Sequence, residues 1–306
     1  MIVKDKTQKG TLPDAELDRL IEFIDYNNWR NSFRELNCPV LRSKENWFCN
    51  MKRGEYYNQL RLKYRKKALD IGSGAGVISQ SLSGAFDHIY SLEYNPKWIQ
   101  FLSKRFQQDG IENIHVIRGN ALDFSFQPNS FDLVVVNGVL EWVADFSLKG
   151  SPDEVQLNFL KSCFDLISDD GKIAIAIENR LYLRCFLGET PHGEPPYVTL
   201  MPRIIANFWC KKKIKKVYRN YIYSYWGYKK ILKKAGFRNI DIKISFPTYY
   251  DPKFIIGLAK KNQIKYFSES NLSKSKNYYF KKLLKFLLFF GLLGYFEHSF
   301  YISASK

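Results

Sequence analysis

ALDIGSGAGVISQSL, residues 68–82, is an apolar run that ends in a carboxylate and turns at once through three glycines. The run predicts a strand closing at Asp70, Gly72, Gly74 and Gly76 predict a tight turn, and VISQSL predicts the start of a helix. Glycine suits such a turn because a Cβ would block close approach of a ligand to the backbone and because the turn favours unusual φ values. Taken alone, the spacing fits a dinucleotide site, a phosphate loop or an ordinary turn.

The next strand narrows the choice. IYSLEYNP ends in Glu93, 17 residues beyond Gly76, and a carboxylate at that strand end can accept both hydroxyls of an adenosyl ribose. That feature also suits NAD. A dinucleotide loop, however, is spaced G-x-G-x-x-G and opens toward a pyrophosphate, whereas here G-x-G-x-G follows directly on Asp70. An acidic side chain at that place repels a pyrophosphate and favours the cationic methionine end of S-adenosylmethionine (SAM). Each residue also has an ordinary structural reading: Asp70 or Asn120 as a helix cap, Glu93 as a surface charge, Asn137 as a turn residue. Their order and spacing as a set discriminate.

Working outward, ALDI, IYSLE, IHVIRG, FDLVVVN and KIAIAIE are short apolar runs separated by helix-length segments. This rhythm predicts a parallel sheet with crossover helices, hence an α/β, Rossmann-like architecture with helices on both faces. Residues 14–60 precede it as an amphipathic helical cap, with Leu17, Leu20, Ile21 and Ile24 at helix spacing, then Trp29, Phe33 and Trp47. After Arg180 the Pro-containing stretch through PHGEPPY and MPR, residues 181–209, predicts loop rather than regular helix, inserted over the site. YSYWGYKKILKKAGF then predicts a helix stopped by Gly236, NIDIKISFP a strand stopped by Pro247, and HSFYISASK a last strand. The expected divisions are a helical cap over 1–62, a SAM-binding core over 63–182, a basic insertion over 183–222, and the end of the sheet over 223–306 with an inserted apolar helix near 280–296.

A hydrophobic content of 45% in 306 residues is ample for a buried core. The five cysteines (Cys38, Cys49, Cys163, Cys185, Cys210) are odd in number, scattered and never in a C-x-x-C pair, so neither a disulfide framework nor a zinc site is expected. No other metal site is read from the sequence. The polar N-terminus lacks the apolar stretch of an export signal, which points to the cytoplasm. Charge is lopsided: residues 1–180 hold 23 Lys+Arg and 24 Asp+Glu, residues 181–306 hold 24 and 6. Such a C-terminal half suits phosphates, an anionic membrane or nucleic acid, although a merely solvated Lys-rich surface would look the same. KKLLKFLLFFGLLGYF, residues 281–296, has an apolar run of 11 residues from Phe286 to Phe296. A spanning helix needs roughly 20 residues, so this one is expected in a membrane interface, packed in the core, or at a self-association surface.

The ordered set LDIGSGAG, SLEYN, GNALDF and FDLVVVNGVLEWV, within residues 65–180, resembles the class I SAM-dependent methyltransferase family. The resemblance implies that Asp70 bonds toward the methionine amino group and that Gly72, Ser73, Gly74 and Gly76 line the cofactor. It further implies that Glu93, with Tyr94 beside it, takes the ribose hydroxyls, that Asn120 and Ala121 lie against the adenine edge, and that Asn137 and Gly138 close the methionine side. Asn120 departs from the Asp often found at the adenine position. A narrower resemblance, to methyltransferases encoded among glycan and O-antigen biosynthesis genes, rests on Glu178-Asn179-Arg180, Phe186, Gly188, His192, Tyr223, Ser224, Gly227, Ala235–Phe237, Ser299, Phe300 and Ala304. The His loop, TPHGE, is a shortened form.

Methyl transfer is an in-line displacement in which positioning supplies much of the acceleration, and a hydroxyl acceptor also benefits from a base. Glu178 at a strand end, His192 and Glu141 are the candidates, each with an ordinary loop or helix-terminus role as the alternative. Arg180 is expected to grip a substrate anion or pair with Glu178. The expected acceptor is a small molecule or saccharide, on a phosphate- or lipid-linked carrier met at the inner membrane face. RNA, facing lysines and aromatics in KKKIKKVYRNYIYSYW (211–226), is the second reading, and a cofactor-binding scaffold without chemistry the third. The sequence leaves the oligomeric state open.

Overall fold

The computed structural model describes residues 12–147, 149–190, 192–269 and 278–306. The polar terminus over residues 1–11 lies outside the described residues. The chain forms two compact units, one running to Asn137 with Asp165–Gly171 added, the other made of Gly138–Phe164 and Lys172–Lys306.

The first unit opens with five helices, α1 (Asp14–Ile24), α2 (Ser32–Glu35), α3 (Pro39–Ser43), α4 (Glu45–Cys49) and α5 (Lys52–Asn58). Leu17, Leu20 and Ile24 are buried on one face of α1, while Ile21 is only partly covered. There follow β1 (Lys67–Ile71), α6 (Val77–Leu82), β2 (His88–Glu93), α7 (Pro96–Gln108), β3 (Ile114–Arg118) and β4 (Phe131–Asn137). The strands pair in the order β3-β2-β1-β4, all parallel, with α6 and α7 as the crossovers that parallel neighbours require. β1 is buried from Ala68 to Ile71 and β4 nearly throughout, the pattern of strands in a parallel sheet. Asn95 caps α7 by accepting from the Lys97 N–H, and Pro96 occupies its first turn, where a missing N–H costs nothing. Trp98, Phe101, Leu102, Arg105 and Phe106 are its buried face. Trp98 and Phe101 meet Phe48 of the cap at 5.7 and 5.5 Å between ring centroids. Each such burial contributes about 1.5–3 kcal/mol and fixes the cap to the sheet.

The chain passes out of and back into the first unit through α8 (Pro152–Leu166) and β5 (Ile167–Glu178). The second unit continues with α9 (Arg203–Ile214), α10 (Tyr225–Lys234), β6 (Arg238–Thr248), β7 (Asp251–Gly257), α11 (Lys260–Glu269), α12 (Tyr278–Phe289) and β8 (Ser299–Ser305). β5 from Lys172 onward pairs with β8, β8 with β6 and β6 with β7, all antiparallel. The predicted last strand is therefore a central one, buried from Ser299 to Ala304. α10 is capped by Ser224 and ends before Gly236 at φ +108°.

Four local expectations change. Within the predicted loop over 181–209, α9 begins at Arg203, because Pro202 sits at its N-cap rather than inside it. β6 runs one residue past Pro247, which is accommodated at a register shift between Phe246 and Pro247, the kind of place where a strand tolerates proline. β7 was not read from the sequence at all. The apolar segment is not one helix: α12 stops at Phe289, Gly291 takes φ +67°, and Leu293–Phe296 forms a short 3-10 turn. Among the described residues no helix is long and apolar enough to cross a membrane.

Candidate functional site

In the first unit, the carboxyl ends of β1 and β2 are stitched together by the glycine turn. Gly72, Gly74 and Gly76 take φ +71°, +51° and +83°, a region open to glycine and costly for other residues. The N–H groups of Gly72 and Ser73 donate to the Leu92 carbonyl at 2.8 and 3.2 Å. The Gly74 N–H donates to Glu93 Oε2 at 2.9 Å, and those of Tyr94 and Asn95 donate to Oε1 at 2.9 and 3.0 Å. Burial raises the Glu93 carboxyl above its ordinary range, and these three N–H groups oppose the shift. A Cβ on Gly76 would lie 2.5 Å from Leu102 and 2.7 Å from Phe106 of α7, so glycine is needed there for packing as well as for φ.

Asp70 is buried behind the turn, where Ser79 Oγ donates to Oδ2 at 2.7 Å. Desolvation pushes its carboxyl up to about 6, with Ser79 and the Arg53 guanidinium acting in the opposite direction. Arg53 and Tyr57 come from α5 and are residues that the sequence reading missed. Tyr57 Oη accepts from Asn137 Nδ2 at 2.8 Å, while Arg53 donates to the Trp47 carbonyl at 2.8 Å and toward Asn137 Oδ1 at 3.4 Å. The Trp47 ring stands 3.4 Å from the position of a Cβ on Gly74. The cap therefore borders the glycine turn and orients Asn137. Among the remaining predicted residues, Ser73 is buried, Tyr94 is exposed, and Asn120 and Ala121 are half-buried. Asn120 Oδ1 accepts from the Leu122 N–H at 2.9 Å, so its side chain shapes its own turn.

In the second unit, Gly138 takes φ +66° and donates to the Ala176 carbonyl at 2.8 Å, and a Cβ there would meet Tyr249 Oη at 2.6 Å. Glu178 closes β5 opposite Ser299, with its carbonyl accepting from Tyr228 Oη at 2.8 Å. His192 Nε2 stands 3.7 Å from Glu178 Oε2, and donor atoms of Glu141, Glu178 and His192 all lie within 4.8 Å of one another. Glu141 is 0% exposed, and the side chains of Glu178 and His192 are 6% exposed. Burial raises both glutamates, Glu141 well above the carboxylate range with Glu178 as the second cause. The His298 imidazole and Tyr249 hydroxyl work against the shift at Glu178. Burial lowers the His192 imidazole, favouring its neutral form.

All three base candidates thus converge, a juxtaposition that the sequence could not reveal. Arg180 is engaged within the chain: its guanidinium donates to the carbonyls of Thr199 and Met201 at 2.6 and 2.8 Å. It anchors the His192-bearing segment instead of pairing with Glu178. Asn179 is similarly committed, donating to the Tyr295 and Glu297 carbonyls at 2.9 and 2.8 Å.

Residues 69–175 match the methyltransferase domain family. The chain is similar to a demethylmenaquinone methyltransferase of Geobacillus sp. (strain WCH70), 24% identical over 40% of this chain and 49% of that protein. It is also similar to a ribosomal RNA small subunit methyltransferase G of Lactococcus lactis subsp. cremoris (strain SK11), 29% identical over 44% of this chain and 60% of that one. The chain thus spans about half the length of the curated relatives it matches. Its fold is similar to the crystal structure of a SAM-dependent methyltransferase from Archaeoglobus fulgidus, with TM-score 0.52, 15% identity and coverage of 88% of this chain and 100% of that one. The α/β Rossmann-like class read from the sequence is the one the chain adopts.

Proposed function

We propose that the protein is a SAM-dependent methyltransferase whose acceptor is a hydroxyl of a small molecule or saccharide, carried on a phosphate- or lipid-linked group. The observation that supports the cofactor most directly is the bond between the Gly74 N–H and Glu93 at 2.9 Å. It sets a carboxylate and a bare backbone turn side by side at the ends of two adjacent parallel strands, where ligands of open α/β sheets bind. Asp70, buried, and Glu93, half-buried, are two carboxylates near the turn, a donor set that fits a cationic adenosyl ligand and opposes a pyrophosphate. Glu93 would hold the ribose hydroxyls, Asp70 the amino group, and Asn137 the methionine side. Bound there, SAM supplies a methyl group activated on a sulfonium. Glu178 or His192 would take the proton of the acceptor hydroxyl.

Calorimetry with SAM and with its demethylated product tests the cofactor. Both should bind, and Glu93→Ala should weaken binding about ten- to hundred-fold, as loss of a charge-assisted bond implies. Absence of heat with either ligand on folded protein, together with tight NAD binding, overturns the reading. Glu178→Gln and His192→Ala should keep cofactor affinity and lower turnover on sugar nucleotides or polyprenyl-linked saccharides, and wild-type turnover in both removes the base assignment.

A further inference from the structure

Glu141, Glu178 and His192 reach one point in the second unit from three separate segments of chain. Among the described residues, neither oxygen of Glu141, nor Glu178 Oε2, nor His192 Nε2 has a hydrogen-bond partner. Buried polar atoms are seldom left in that state, because desolvation without a partner costs several kcal/mol. Four such atoms aimed into one place indicate that something is held between them.

We propose that Glu141, Glu178 and His192 form a binding site for a divalent transition-metal cation. Two carboxylates and one imidazole offer two negative charges and a nitrogen donor, a set that suits Mn2+, Fe2+, Co2+ or Zn2+ better than Mg2+ or Ca2+. Bonds of about 2.0–2.2 Å to each donor place neighbouring donors about 3–3.5 Å apart. The His192–Glu178 pair is already at 3.7 Å, and all three donors fall within 4.8 Å. Small side-chain rotations therefore close the set. Three protein ligands leave coordination positions open; an acceptor hydroxyl bound there would lose its proton more readily, so that in the loaded site the cation would replace free Glu178 or His192 in activating the acceptor. That catalytic role rests on the methyl-transfer reading above, whereas the binding of the cation does not. A proton shared between the two glutamates is the competing occupant, as in paired carboxylates elsewhere.

The full chain, stripped with a chelator and dialysed, is titrated with Co2+ followed by its visible absorption and with Mn2+ followed by electron paramagnetic resonance. One equivalent of each should bind, and Glu178→Gln and His192→Ala should each weaken binding by about ten-fold or more while keeping calorimetric binding of SAM. Absence of saturable binding, or unchanged affinity in the double variant, overturns the cation site in favour of the shared proton. If the variants fail to fold, crystals of the wild-type protein soaked in Mn2+ decide: an anomalous peak between the three side chains supports the site, and a peak elsewhere or none rejects it. Loss of the metal with intact SAM binding leaves the methyltransferase standing. Metal binding without SAM binding leaves the site and removes its proposed role.

Discussion

On the proposed cofactor reading, the buried carboxylate of Asp70 makes SAM binding depend on pH. Its folded pKa of about 6 lies above the ordinary 3.8, so the native state holds this proton more tightly than the unfolded chain does. The group's contribution to stability is therefore fully present below about pH 4 and is lost as pH rises through about 6. A bound ammonium reverses the preference, since it favours the ionised form. Below about pH 6 binding must expel the proton, and SAM affinity should fall toward ten-fold per pH unit; above it the curve should be flat. Calorimetry between pH 5 and 8 checks this, with Asp70→Asn expected to bind weakly and to lose the pH dependence. Because the Arg53 guanidinium lowers this carboxyl, Arg53→Gln should move the midpoint upward. A pH-independent affinity in the wild type would remove Asp70 from the cationic end of the ligand. Asp70 and the glycines were legible because strand, turn and carboxylate are contiguous in sequence. Arg53 was not, since nothing in its own neighbourhood signals partners as distant in sequence as Asp70 and Asn137.

At the scale of elements, α5 contributes more to the first unit than its seven residues suggest. Tyr57 is fully buried and accepts the Asn137 amide at 2.8 Å, so a helix of the cap fixes the last residue of β4. Tyr57→Phe strands that amide, and a buried donor left without its acceptor costs about 1–3 kcal/mol. Urea unfolding should show this loss with an unchanged slope, and SAM affinity should weaken several-fold because Asn137 is freed to turn. Full stability in the variant would mean that the pair orders nothing. Such helix–strand pairings lie beyond sequence reading for the same reason as the Glu141–Glu178–His192 centre: periodicity reports which face an element buries, not which residue it meets. Elements with strong periodicity, such as α1 and α10, were read well. α9 was hidden because Pro202, read as part of a loop, here marks a helix start, and β7, whose residues from Phe254 onward are only partly buried, lacks the alternation that announces a strand.

Over the whole molecule the charge is uneven, and α12 lies in the basic half. Leu284 and Leu287 on one stripe of this helix are buried against neighbours in the second unit, which accounts for half of the apolar segment. A second stripe, Tyr279, Leu283, Phe286 and, just past the end, Phe290, is exposed, with Phe286 at 57% and Phe290 at 56%. It is flanked by the exposed Lys282 and Lys285. Packing in the core does not account for an exposed apolar stripe beside lysines; we propose an interface with anionic lipid, which fits both features, over self-association through the stripe. The chain should therefore co-sediment with vesicles containing phosphatidylglycerol and less so with neutral ones, and salt should weaken the association. Phe286→Ser/Phe290→Ser should reduce binding several-fold without changing the melting temperature, because neither ring is in the core. The competing surface is α10, where Lys229, Lys230, Lys233 and Lys234 lie beside Trp226. If vesicle binding is absent and mixed RNA binds with a steep salt slope that the Phe variants leave untouched, the basic half serves nucleic acid and the acceptor must be sought there instead.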